Sequence, residues 1–427
     1  MKSKNRTARF ARKNRSLWIW PFTSFGLLLL SRAAETQQAI APQPQSAATP
    51  EPVWQQTGTN QFKVFGPEGT KPATGKDQPF QWGPLTARPH LLYRFLYATG
   101  LPLSPGNQQN TVIQEFSPGV AFDIGTHWTL DYMPTLRFYS NHNFKDEFDN
   151  AVTLTGATAY EDWIFGFSQS YVSSDSPEVQ TGTQTSQEIY ETALTASYTF
   201  NSKMSLDMGL YQNLQFTENL QNSRDWSTME WLNYKFWPRF NAGIGAGAGY
   251  VNVDFGPDQI YEQIAGRINW RATDKLSFQV NAGYEDRQFS SNGSGDLLSP
   301  TFGAAIQYQP FQVTKISLNA SRSVTPSYFQ GQVTENTSVN CDLNQRLFGK
   351  YYMDLNAGYN MTEYVSSAGA ASANSDNDYY TFNARLSRSF LKRGTLGIFY
   401  QYSGNSSTEP GFTYSGSQVG IEIGYKY

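Results

Sequence analysis

The sequence predicts an all-β protein: a transmembrane up-and-down antiparallel beta-barrel of about 18 strands. Three observations carry this. Apolar and polar residues alternate with period two in run after run, the connections between runs are alternately short and long, and the chain is aromatic but weakly charged. Of 427 residues, 15% are aromatic and only 16% are charged, against about 25% charged in ordinary soluble domains. Side chains of a strand alternate between its two faces, so period two with one apolar face describes a wall that is wet on one side only.

The N-terminal elements come first. Residues 1–16 carry Lys2, Lys4, Arg6, Arg9, Arg12, Lys13 and Arg15 and no acid. The apolar stretch LWIWPFTSFGLLLL follows at 17–30, then Ser31 and Ala33 in the spacing of a signal-peptidase site. This predicts a signal peptide at 1–33 and an exported chain. Residues 34–89 begin as a Pro/Gln-rich stretch unsuited to packing, and are read as a disordered periplasmic leader or a partial plug of the barrel mouth.

From 90 to 427 the chain reads as barrel. In 275–286, Leu276, Phe278, Val280, Ala282 and Tyr284 share one face, while Ser277, Gln279, Asn281, Gly283 and Glu285 share the other. The same pattern recurs in 351–360, 203–211 and 128–138. Taken in order, the runs are 90–98, 111–124, 128–140, 148–158, 161–174, 187–200, 203–217, 224–236, 239–254, 259–271, 274–288, 298–309, 313–324, 332–346, 350–364, 377–390, 393–403 and 413–427. Short turns such as Gly125–His127 and Trp237–Pro238 alternate with longer stretches, among them LPLSPGNQQN at 101–110 and GNSSTEPG at 404–411. That asymmetry is expected of an outer-membrane barrel, with tight inner turns and long outer loops. An even strand count puts both ends of the barrel on the periplasmic side.

The final run ends QVGIEIGYKY. Ile421, Ile423, Tyr425 and Tyr427 share one face, an ending that resembles the signal read by the barrel-assembly machinery, which usually closes on Phe. With the leader, the barrel and the NAGY segments at 281–284 and 356–359, the chain resembles the putative beta-barrel porin 2 family of Gram-negative outer-membrane proteins. The resemblance implies an outer-membrane channel. It also raises, as an alternative, an outer-membrane component of exopolysaccharide export with periplasmic partners.

No enzyme is predicted. Motifs of the GxSxG, HExxH, phosphate-loop and paired-Cys types are absent. His142 with Asp146 or Ser140 is the one imaginable base pair, and it reads as a solvated turn. The lone Cys341 falls on a lipid-facing parity, and three His are too few for a metal centre; no cofactor and no metal are expected. With 32 basic and 35 acidic residues the net charge is −3, which offers nucleic acid no basic surface. The partners expected are outer-membrane lipid, lipopolysaccharide and the assembly machinery.

The functional surface is then the lumen. Parity places Asp131, Arg137, Asp207, Lys235, Arg267, Glu285, Asp354, Arg385 and Glu422 there, with Asp123 and Lys426. Acids and bases nearly balance, which argues for passive passage of small polar solutes or oligosaccharides rather than strong ion selection. A structural or adhesive barrel without transport is the rival reading. Gly243, Gly245, Gly247 and Gly249 share one inward face and either open lumen space or relieve crowding at the wall.

Overall fold

The computed structural model describes residues 80–178, 182–290, 296–366, 376–391, 393–409 and 411–426. The expected signal peptide, the leader up to residue 79 and Tyr427 lie outside the described residues. The described elements are strands: β1 (Phe80–Trp82), β2 (Leu85–Ser104), β3 (Asn107–Ile124), β4 (Trp128–Tyr139), β5 (Glu147–Tyr160), β6 (Trp163–Ser174), β7 (Pro177–Glu178), β8 (Thr183–Gln184), β9 (Gln187–Thr199), β10 (Met204–Thr217) and β11 (Ser223–Trp237). They continue as β12 (Phe240–Val253), β13 (Gln259–Arg271), β14 (Leu276–Phe289), β15 (Leu297–Phe311), β16 (Thr314–Pro326), β17 (Gln332–Leu347), β18 (Tyr351–Ser366), β19 (Asp376–Phe390), β20 (Gly394–Ser407) and β21 (Tyr414–Lys426).

Eighteen of these form a closed antiparallel ring. Each pairs with the next, and β21 pairs back onto β2 from His90↔Lys426 to Thr99↔Ser417. Closure leaves no sheet edge, which is what a sheet in hydrocarbon requires. Outside the ring, β1 pairs with the start of β2, and β7 with β8 makes a small hairpin between β6 and β9.

Each predicted run is one barrel strand. Two predicted loops are corrected. The stretch 101–110 is mostly strand: β2 and β3 continue to a tight turn between Ser104 and Asn107. The sequence misleads because Pro102 and Gly100 are strand breakers. Both sit where the register shifts, and Gly100 takes φ of 67°, a conformation glycine adopts without a side-chain penalty. Likewise 404–411 is shortened, because β20 continues to Ser407.

Register reveals the tilt. A line drawn perpendicular to the strands from Trp163 on β6 passes through Tyr198, Leu206, Leu232, Ile244, Gly266 and Ala282 to Phe302 on β15. It starts beside the inner turns and ends near the outer loops. Each step to the next barrel strand therefore climbs by about one residue, the stagger that closing a tilted barrel demands.

The outward face is apolar and ringed by aromatics. Trp128, Tyr160, Phe236, Trp270 and Phe390 mark its inner edge, and Tyr97, Phe138, Trp226, Tyr250 and Tyr380 its outer edge, each more than a third exposed. Such belts place amphipathic rings at the two lipid–water boundaries. Ile421, Ile423 and Tyr425 belong to this face. Cys341 is exposed on it as well.

Candidate functional site: the lumen wall and the outer mouth

The inward face of the seam between the first and last barrel strands carries alternating charges in direct register. Glu422 on β21 faces Arg94 on β2, Arg94 faces Glu115 on β3, Glu115 faces Arg137 on β4, and Arg137 faces Glu147 on β5. Distances are 3.3 Å for Arg94 Nε to Glu422, 3.6 Å for Arg94 to Glu115, and 2.8 Å for Arg137 to both Glu115 and Glu147. Arg137 also reaches Asp149 at 2.6 Å. On the far side of Glu422, Arg385 of β19 pairs with it and lies 3.4 Å from Asp354 of β18. Arg385 must span β20 to do so. Gly397 makes this passable, since a Cβ there would stand 2.8 Å from Glu422 Oε1. The belt thus runs unbroken from β18 through the seam to β5. Its central members are buried: Arg94 is 6% exposed and Glu422 2%. Buried charges persist only when paired and hydrogen-bonded.

An apolar layer lies against the belt on the outer-loop side of the same sector. Leu96, Ala98, Leu101, Ile113, Tyr139, Phe144, Tyr379, Phe399 and Tyr414 form one buried cluster. The wall here is thick.

The sector from β10 to β14 is built differently. Arg267 pairs with Asp207 and donates to Asn233 Oδ1 at 2.8 Å from Nε, while Asn233 donates to Asp207 at 2.9 Å. Arg287 holds Glu285 at 2.7 Å, donates to Gln259 at 2.6 Å and reaches across β15 to the carbonyl of Val324 at 3.2 Å. Arg267 lies over the Trp231 ring and Arg287 over the Tyr261 ring, each 4.6 Å from the centroid. The glycine stripe explains the arrangement. A Cβ on Gly245 would meet Trp231 at 2.6 Å, one on Gly247 the Met229 sulfur at 2.7 Å, and one on Gly249 would run into the Tyr261 ring. The space freed on β12 is filled by neighbouring side chains lying flat on the wall.

The remaining parity assignments fall as follows. Asp123 pairs with Arg88 at 2.6 Å, and Asp131 is 3.6 Å from His90. Lys235 sits exposed near the inner end of β11, and Lys426 is opposite His90. Asp207 with Arg267, and Asp354 with Arg385 and Glu422, are brought together; Glu285 meets Arg287 instead. Asp146 and Ser140 accept backbone N–H groups of Tyr139 and Val112 at 2.9 Å each, and among the described residues no hydrogen bond or ion pair joins either to His142.

Sequence reasoning missed Arg94, Glu115, Glu147, Asp149 and Arg287. Arg94 sits between Leu92 and Leu96 on an inward face that is apolar on both sides of it, so alternation there separates two faces without saying which is wet. It also missed the mouth. The connection 327–331 between β16 and β17 places Tyr328, 8% exposed, against the wall six to seven strands around the ring. The Tyr328 hydroxyl donates to Gln187 at 3.3 Å and is hydrogen-bonded by Gln215, and Gln221 donates to the Ser327 carbonyl at 3.0 Å. On the seam side, the β7–β8 hairpin is held by Gln184, which donates to Glu147 at 2.7 Å, and by Ser176, which donates to the same carboxylate at 3.1 Å. Loops carry such contacts without any periodic signal.

Residues 259–427, from β13 to the end, match the family model described as putative beta-barrel porin 2. No curated protein matches the chain by sequence. Among solved structures, the chain is similar to OccAB2 of Acinetobacter baumannii, with 11% identity, a TM-score of 0.46, and coverage of 80% of this chain and 98% of that one. It is also similar to OpdK of Pseudomonas aeruginosa, with 9% identity, a TM-score of 0.44, and coverage of 80% and 99%. OccK2 of the same organism, solved in complex with glucuronate, shows 10% identity, a TM-score of 0.44, and coverage of 80% and 98%. The family match and the lipid-facing belt make this a porin-like barrel of the outer membrane.

Proposed function

We propose that the barrel is a passive channel for small polar solutes or oligosaccharides, with a passage that runs off-centre along the β10–β14 wall. The carrying observation is that most inward charges of both sectors are spent on one another, Lys235 near the inner end of β11 being an exception. An ion of either sign finds its counter-charge already occupied, so strong charge selection is not expected. A neutral polyhydroxyl solute would meet amide and hydroxyl groups, such as Ser205, Gln263 and Gln279, and the half-buried ring of Tyr211. Stacking on flat rings and hydrogen bonding to scattered amides is a common way to orient polar ligands in a wet cleft.

The test is reconstitution in planar bilayers together with liposome swelling in sugars of increasing size. The expected result is a pore of weak ion preference that admits small sugars. Tyr328→Ala should raise single-channel conductance and the sugar size limit, because it removes the side chain that spans the mouth. A folded preparation that neither conducts nor admits sugars, with and without Tyr328→Ala, would favour a structural or adhesive barrel instead.

A further inference from the structure

The outward face of β6, β9, β10 and β11 departs from the rest of the lipid-facing belt. Gln169, Thr192, Gln212, Thr228 and Glu230 all point outward, by the same parity as Phe167, Leu194, Leu210 and Leu232. Tyr171, Tyr190 and Trp226 lie above them on these strands, and Trp163, Tyr198 and Tyr234 below. The polar groups are therefore inside the aromatic rings, at hydrocarbon depth. Outward positions a few strands on are Ile264, Ile268, Val280, Ala282, Ala304 and Ile306. The outward charges Glu262, Asp286 and Arg322 are close to the outer ends of their strands, and Arg388 is next to Phe390 near an inner end.

Within the patch, the Thr192 hydroxyl lies 2.7 Å from Gln169 Oε1 and 3.1 Å from Gln212 Oε1. The Glu230 carboxylate makes no hydrogen bond or ion pair among the described residues, and it lines a groove of about 400 Å³ with Phe165, Phe167, Met208 and Leu210. Acyl chains satisfy neither a carboxylate nor amide N–H groups, so ionisable groups at this depth are disfavoured against lipid and mark a protein contact or a water-filled site.

The layout indicates which partner. Leu194 and Leu210 are a cross-strand pair, 47% and 49% exposed, at the centre of the patch. Gln169 flanks them on β6, and Glu230 flanks them on β11. Glu230 is in register, through Met208 and Ala196, with Phe165. Three steps of the climb described above raise it to about the level of Gln169. A two-fold axis along the membrane normal between Leu194 and Leu210 would keep depth and exchange the two edges. Each Glu230 would then face the other molecule's Gln169, an amide donor opposite a carboxylate acceptor, around an apolar centre. That is the self-complementarity an isologous contact needs.

We infer that β6, β9, β10 and β11 form an in-membrane contact between two copies of this chain. The experiment uses the full chain expressed in outer membranes. Leu210→Cys in a Cys341→Ser background is treated with a short bis-maleimide, alongside the natural protein. Cys341 is itself outward, seven strands from β10, and serves as the control. Leu210→Cys should give a cross-linked homodimer and Cys341 none. In mild detergent, Glu230→Gln should weaken the dimer of the otherwise natural chain by about tenfold, as expected when a charge-assisted hydrogen bond at each of the two edges becomes a neutral one. The inference is overturned by any of four results: no dimer through Leu210→Cys, dimer through Cys341, an adduct with a different protein, or a Glu230→Gln chain that associates like the natural one.

Discussion

The seam sector and the β10–β14 sector solve the same problem in opposite ways. Both must line a wet lumen with a wall one strand thick. At the seam, charged side chains extend inward, pair in a continuous belt and are roofed by the Leu96–Phe399 cluster, so the wall gains depth. Across the ring, glycines on β12 let Trp231 and Tyr261 lie down, so the wall stays thin. Wall thickness is thus set strand by strand, through whether a residue's cross-strand neighbour has a Cβ. The two sectors are thus lined differently: charged side chains stand inward at the seam, and rings lie flat beside the glycines.

The largest expected effect breaks the thick side. Arg94→Ala leaves Glu115 with Arg137 alone and Glu422 with Arg385 alone, both carboxylates nearly sealed from water, and should cost about 3 kcal/mol. Arg267→Ala on the thin side leaves Asn233 still donating to Asp207 and should cost about 1–2 kcal/mol. Urea unfolding in micelles, read by heat-modifiable gel mobility, checks the ordering; equal losses would erase the distinction between the sectors. Next come the glycines. Gly245→Leu should lift Trp231 into the lumen and lower conductance, whereas Gly397→Leu should destabilise by severing Arg385 from Glu422 with little change in conductance. The opposite assignment of effects would place the passage at the seam.

The smallest effect concerns an outer loop beside the thin wall. Asp254 accepts from Arg224 at 2.8 Å and Asn222 at 2.6 Å, and those bonds hold its carboxyl below its ordinary value of 3.8. A depressed carboxyl stabilises above its unfolded value and loses that contribution as pH falls through the folded one. Hydrogen exchange in the 254–258 loop, taken relative to its intrinsic rate at each pH, should therefore stay constant from neutral pH down to about 4 and rise only below it. In Arg224→Ala the rise should begin at higher pH.

The sequence made the barrel legible because lipid enforces one simple rule on every strand. Leu276, Phe278 and Val280 alternate with Ser277, Gln279 and Asn281 whatever the neighbours do. Strand ends were less legible where Gly100 and Pro102 occupy shifts of register. The lumen was half legible: parity finds Arg137 and Asp207 but not their partners, because pairing depends on register across strands. Arg94 was hidden by the leucines on either side of it. Tyr328 was hidden because a loop residue's destination is fixed by the opposite wall, with which it shares no local pattern.

The Arg94–Glu422 contact joins residues 328 positions apart, and it can form only when the last strand finds the first. Consider the ways that meeting can go wrong. A slip of one residue turns Glu422 toward lipid. A slip of two sets it against Leu92 or Leu96, the inward neighbours of Arg94 on β2. In both cases the Arg94–Glu422 pair is lost; after a slip of two, Glu422 keeps only Arg385 and Arg94 only Glu115. A single key in a single lock, flanked by leucines, therefore distinguishes the correct closure from its nearest errors at the final step of assembly, when no later strand remains to correct them.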